Sequence, residues 1–117
     1  MKRPRILVVE DEALVALMVE DLLEDLGCEV AASFGELSKA LSWLAQSGKT
    51  IDGALLDVNI GGETVFPVAD ALVAQGSPFG FLTAYSSVPQ ARTYAAPVLH
   101  KPVDALDLGS LVASFER

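Results

Sequence analysis

Positive charge is scarce in this chain. Eight Lys and Arg stand against sixteen Asp and Glu, a formal net charge of −8. That balance argues against nucleic-acid binding, which relies on basic patches to neutralise phosphates, and favours proteins or cations as partners. The single cysteine, Cys28, rules out an intramolecular disulfide and reads as the reduced, buried thiol of a cytoplasmic protein. The single histidine, His100, has no second imidazole to join it and is given no catalytic or metal role. No apolar run reaches transmembrane length. The run Ile6–Val9 is too short for the core of a signal peptide and is cut off by three acids. Internal repeats, low-complexity tracts and linkers are also lacking, so the cytoplasm is the expected location.

What is present is a core. Of 117 residues, 51% are apolar and 21% charged, which suits one compact domain across residues 1–117. Short β-rich segments alternate with amphipathic ones. "RILVV" reads as a strand. The helix that follows carries Leu14, Met18, Leu22 and Leu26 on one stripe and stops at Gly27. "CEVAAS" is a weak strand, after which Ser33 and Glu36 have capping-box spacing. Leu37, Ala40, Leu41 and Leu44 then share a helical face, and Trp43 beside them reads as packing. "GALL" is a third strand, and "TVFPVADALVAQG" a helix with Pro67 confined to its first turn. "FGFL" is a fourth strand, with Phe79 and Phe81 on one face. Pro89 and Pro97 limit the next helix to about two turns. "VLH" is a fifth strand. The last helix has Asp104 as N-cap and Leu108, Leu111, Val112 and Phe115 inward.

Alternation of this kind predicts a flavodoxin-like α/β fold. It is a doubly wound, five-stranded parallel sheet in the order 2-1-3-4-5, with a short or irregular fourth helix. A barrel needs about 250 residues. Ligands of such sheets bind beyond the C-terminal strand ends. There the sequence places Glu10, Asp11 and Glu12 after strand one, Asp57 after strand three, Thr83 after strand four, and His100, Lys101 and Pro102 after strand five. Glu12 reads as a first-turn charge favouring its helix dipole. With strands one and three adjacent, Glu10, Asp11 and Asp57 converge and repel one another. A hard divalent cation relieves that repulsion, and oxygen-only ligands suit Mg²⁺, with a backbone carbonyl from Asn59 as a further donor. A carboxylate, a metal, a hydroxyl and an amine on one edge form a set able to handle a phosphoryl group.

"LVVEDE", "LLDVNI", "FLTAY" and "HKP", in this order and spacing, resemble the motifs of response-regulator receiver domains of two-component signalling, from Ile6 to about Phe115. The resemblance implies that Asp57 accepts a phosphoryl group from the phosphohistidine of a sensor histidine kinase. It implies that Glu10, Asp11, Asp57 and the Asn59 carbonyl hold Mg²⁺. It also implies that Thr83 hydrogen-bonds the transferred group, that Lys101 pairs with it, and that Lys101–Pro102 is a cis peptide. The added charge of about −1.5 to −2 then draws Thr83 and Lys101 and alters the face around strands four and five.

Three features depart from that family. Val98 stands where an aromatic switch residue is usual, three places before the lysine. Only seventeen residues, Ala84–His100, separate Thr83 from Lys101, and Gly61 occupies a position where proline is common. "SPFGFLTAYSS" is similar to the corresponding stretch of the FAT GUY subgroup of stand-alone receivers, with Ala84 in place of a glycine. Tyr85 is expected to take part of the missing switch role. The expected function is a stand-alone response regulator with no output domain, acting through a separate effector or phosphotransfer protein. It is not an enzyme in the usual sense, beyond catalysing its own phosphorylation and dephosphorylation. The alternatives are a phosphate shuttle or sink, a phosphorylation-independent adaptor, an aspartate-nucleophile phosphatase and a flavodoxin. The phosphatases usually have an acid where Asn59 stands, and Glu10 to Glu12 would repel a flavin phosphate.

Overall fold

The computed structural model describes residues 3–47, 51–84 and 88–115. The chain runs β1 (Arg5–Val9), α1 (Ala13–Asp25), β2 (Glu29–Phe34), α2 (Leu37–Ser47), β3 (Gly53–Asp57), β4 (Asn59–Ile60), β5 (Glu63–Thr64), α3 (Phe66–Gln75), β6 (Phe79–Thr83), α4 (Ala91–Tyr94), β7 (Val98–His100) and α5 (Ala105–Phe115). The main sheet is parallel in the order β2-β1-β3-β6-β7. This is the expected flavodoxin-like order once the small antiparallel pair β4–β5 is set apart.

The period of two along each strand sorts the core into two layers. Leu7, Val9, Ala54, Leu56, Phe79 and Phe81 face α2 and α3, meeting Ala40, Leu44, Val68, Ala69 and Leu72. Ile6, Val8, Leu55 and Leu82 face the other side, meeting Val19 and Leu23 of α1 and Leu108, Leu111, Val112 and Phe115 of α5. The inward face expected for α5 is therefore the observed one. Its start is capped as expected, since the Asp107 N–H donates to Asp104 Oδ1 at 2.8 Å. Trp43 packs against Phe34 with ring centroids 6.0 Å apart. The fourth helix is a single turn of four residues.

Helix α5 docks closely because β3 and β6 carry glycines beneath it. A Cβ on Gly53 would lie 2.2 Å from Phe115 Cδ2, and one on Gly80 would lie 2.7 Å from Leu111 Cδ2. The missing side chains are the notches into which the helix packs.

Two expectations fail. The Leu14, Met18, Leu22 and Leu26 stripe of α1 is not the buried one: Leu14 is 78% exposed and Met18 55%, while Ala16, Val19 and Leu23 are buried. Apolar residues occur on almost every side of this helix, so spacing alone does not select the inner face. Ser33 caps no helix, because β2 continues to Phe34 in register with Val9. Strand pairing outweighs the local cap, and α2 begins only at Leu37.

Candidate functional site

Register brings the polar strand ends together. Val9 is level with Leu56, so Glu10 and Asp57 lie beside each other on adjacent strands. Asp57 is level with Leu82, and Thr83 with His100. The Lys101 N–H extends that ladder by donating to the Thr83 carbonyl at 2.8 Å. The peptide between Lys101 and Pro102 is cis, as the resemblance implied. Among the described residues the buried polar or charged side chains are Glu10, Asp57 and Thr83. All three stand at this one edge, where sequence reasoning placed them.

Burying a carboxylate is costly unless it is paired. The pairing comes from Lys101, whose Nζ lies 2.8 Å from Glu10 Oε1, 2.9 Å from Asp57 Oδ2 and 3.3 Å from Glu12 Oε1. The remaining carboxylate oxygens take backbone donors. The Glu12 N–H donates to Glu10 Oε2 at 3.0 Å, and the Asn59 N–H to Asp57 Oδ1 at 3.2 Å. Burial is the main cause that lifts the Glu10 pKa from 4.5 to about 7. The Lys101 ammonium and the Glu12 N–H oppose it, and Asp57 adds to it. Burial pulls the Lys101 pKa down, yet its bonds to Glu10 and Asp57 outweigh that and hold it above the ordinary 10.5.

One carboxylate oxygen from each of Glu10, Asp11, Glu12 and Asp57 can gather within 4.8 Å of the others. Asp11 and Glu12 are exposed at the rim. A cavity of about 220 Å³ opens over the edge, lined by Asp11, Glu12, Asp57, Asn59, Thr83, Ala84 and Lys101. Glu12 does more than the first-turn reading gave it: its side chain makes no cap bond and pairs with Lys101 instead.

Two features were not anticipated. Asn59–Ile60 and Glu63–Thr64 form a hairpin turned by Gly61 and Gly62, whose φ angles are +58° and +84°. A Gly-Gly pair between short strands was the available signal. The other is a cluster of rings next to Thr83's strand. Tyr94 of α4 stacks on Phe66 at 5.8 Å, meets Phe79 and Phe81 edge-on at 5.9 and 5.8 Å, and donates from its hydroxyl to Asp70 at 2.8 Å. Val98 is level with Phe81 on the neighbouring strand and packs in the same layer. Tyr85, proposed as a substitute switch, lies outside the described residues.

An open parallel sheet with two buried acids, a buried hydroxyl and a lysine on its C-terminal edge defines a class of flavodoxin-like domains built around a charged strand-end pocket. The family model of the response regulator receiver domain matches residues 6–113. The solution structure of SdrG from Sphingomonas melonis Fr1 is similar to this chain at 39% identity, covering 100% of both chains with a TM-score of 0.85. The receiver domain of a modulated diguanylate cyclase from Desulfovibrio desulfuricans G20 is 26% identical over 98% of each chain, with a TM-score of 0.81. A response regulator receiver protein from Sinorhizobium medicae WSM419 shares the fold, at 24% identity over 97% of this chain and 94% of its own and a TM-score of 0.84. No curated protein matches significantly. The chain belongs to the response regulator receiver domain family.

Proposed function

We propose that this receiver domain is a phosphorylation switch that accepts a phosphoryl group on Asp57 from the phosphohistidine of a sensor histidine kinase. The observation that carries the reading is the buried Asp57 carboxylate, held at 2.9 Å by the Lys101 ammonium on the wall of a cavity it shares with Thr83. Asp57 attacks phosphorus, the P–N bond breaks, and its electron pair returns to the leaving imidazole, which keeps a proton on its other ring nitrogen. The products are an aspartyl phosphate and a neutral histidine. In this reading the Lys101 ammonium stays beside the growing charge, and the Thr83 hydroxyl, which lines the same cavity, donates to a phosphoryl oxygen.

The oxygen-only donor set fits Mg²⁺. Glu10, Asp11, Asp57 and the Asn59 carbonyl would hold it, and when bound it supplies positive charge at the phosphoryl oxygens. A macromolecular donor is supported by the exposed Leu14, Leu17 and Met18 of α1. Met18 also lines an apolar groove of about 310 Å³ with Val15, Val19, Leu22, Pro102 and Val103, and Glu12 and Lys101 of the strand-end site line it too. Once charged, the site draws on Thr83 and Lys101 and reshapes the β6–β7 face. In this reading the chain acts in the cytoplasm and signals through a separate protein.

Incubation with a small phosphodonor or a kinase, with and without Mg²⁺, tests this. The parent is expected to label only with Mg²⁺, and Asp57→Asn not at all. Equal labelling of Asp57→Asn would exclude Asp57 as the acceptor. A parent that never labels supports the phosphorylation-independent adaptor.

A further inference from the structure

The hairpin after Asp57 has a use that the phosphoacceptor chemistry does not absorb. Here the Asn59 N–H reaches Asp57 Oδ1 at 3.2 Å, and the Gly61 N–H reaches Asp11 Oδ2 at 2.9 Å, across 50 positions of sequence. One hairpin thus grips two of the carboxylates at the strand ends.

The hairpin is itself anchored. Ile60 and Val65, on either side of the turn, are buried in the core. The Val65 N–H donates to the Val58 carbonyl at 2.9 Å, and the Val58 N–H to the Leu82 carbonyl at 3.1 Å. The turn between them has both central residues in the left-handed region, which glycine adopts without the penalty a Cβ imposes. Gly61 is therefore a donor held in a fixed place. Asp11 differs: it is exposed, and an exposed aspartate left to itself exchanges rotamers.

Building on the reading of these acids as a cation site, we infer that the Gly61 backbone N–H is a positioning group that orients Asp11 as a ligand. A charge-assisted bond to one oxygen fixes the carboxylate and leaves the other oxygen for the ion. Outer-shell partners of this kind typically change metal affinity by about 10–100-fold. An exposed ligand places this one near the lower end. Proline at position 61 removes the N–H and has the wrong φ, whereas Gly61→Asn keeps the N–H and tolerates the left-handed turn.

Mg²⁺ binding is measured by calorimetry and by amide shifts of ¹⁵N-labelled protein. Gly61→Asn is expected to bind within about twofold of the parent, and Gly61→Pro about tenfold more weakly. The Val65 amide, which reports the base of the hairpin, is followed in both variants. A second measurement does not depend on how the proline variant folds: in metal-free Asp11→Ala, the Gly61 amide proton should move upfield and exchange faster with solvent. Proline-variant affinity within twofold of the parent, with the Val65 amide unmoved, overturns the inference. So does a Gly61 amide that is the same in Asp11→Ala as in the parent. If the parent itself binds no Mg²⁺, the cation reading fails, and with it Gly61's role toward an ion. Changes at Gly61 in Asp11→Ala alone would then report the hydrogen bond and nothing further.

Discussion

Replacing Gly53 with alanine tests how α5 is seated on the sheet. The new Cβ is part of a central strand and cannot turn away. It would lie 2.2, 2.6 and 2.8 Å from Phe115 Cδ2, Cε2 and Cγ, where ordinary carbon contacts are about 3.5–4.0 Å. The ring must withdraw by more than an ångström. Phe115 is buried with Leu108, Leu111 and Val112, so withdrawal disturbs the whole α5 contact. Overpacking of this kind costs about 1–3 kcal/mol. Relief from the glycine's own entropy cost returns up to about 1 kcal/mol. A net loss of about 1–2 kcal/mol is expected, a fall in Tm of roughly 3–12 °C for a chain this size. Urea denaturation of Gly53→Ala, Phe115→Leu and the double variant measures it. Because the clash is with the ring, Gly53→Ala should cost markedly less in the Phe115→Leu background, with a coupling of at least about 0.5 kcal/mol. A Gly53→Ala protein as stable as the parent, or strictly additive effects, would refute the reasoning.

Stability should also depend on pH through Glu10. Its folded pKa of about 7 stands above the ordinary 4.5, so the folded state holds this proton more tightly than the unfolded chain. The Glu10 contribution is therefore complete below about pH 4.5 and lost as pH rises to about 7. The raised Lys101 pKa acts only above the ordinary lysine range, outside this window. Urea midpoints across it should fall in the parent and fall more steeply in Lys101→Met, which leaves Glu10 and Asp57 without their ammonium. A flat profile in Lys101→Met argues against the buried pair. On the opposite side of the sheet, Tyr94→Phe removes only the exposed bond to Asp70 and should cost about 1 kcal/mol or less. Tyr94→Ala empties the place between Phe66, Phe79 and Phe81 and should cost about 2 kcal/mol, less than a fully buried ring. Hydrogen exchange at residues 91–94 should rise far more in the alanine variant, and equal exchange in the two would show that the ring does not anchor α4.

Much of the fold was legible because local signals agreed with one another. Gly27 and Gly76 both take positive φ where their helices end, Pro67 sits in the first turn of α3, and two prolines confine the fourth helix. The strands were legible as short apolar runs, and their polar ends marked the ligand-binding edge. Other features were not accessible to local reasoning. The face of α1 depended on its fit to Val8 and to α5, because its own residues offer apolar surface in several directions. The extent of β2 depended on its pairing with β1, which drew Ser33 into a strand. The strands of the hairpin at Asn59–Thr64 are too short to show a period, and its one local signal was the Gly61–Gly62 pair.

The sequence by itself determined which chemical groups stand at the C-terminal strand ends. An apolar run ending in Glu10, another ending in Asp57, and short strands ending in Thr83 and before Lys101 leave those groups one place to go. Only the tertiary structure decided how they meet. Lys101 reaches Asp57 across 44 positions and Gly61 reaches Asp11 across 50. Those distances follow from strand register and from a hairpin fixed in the core. The Glu10 pKa follows from burial that no neighbouring residue in the sequence imposes. Local propensity depends on near neighbours along the chain, whereas charge pairing and desolvation depend on what packing brings close in space.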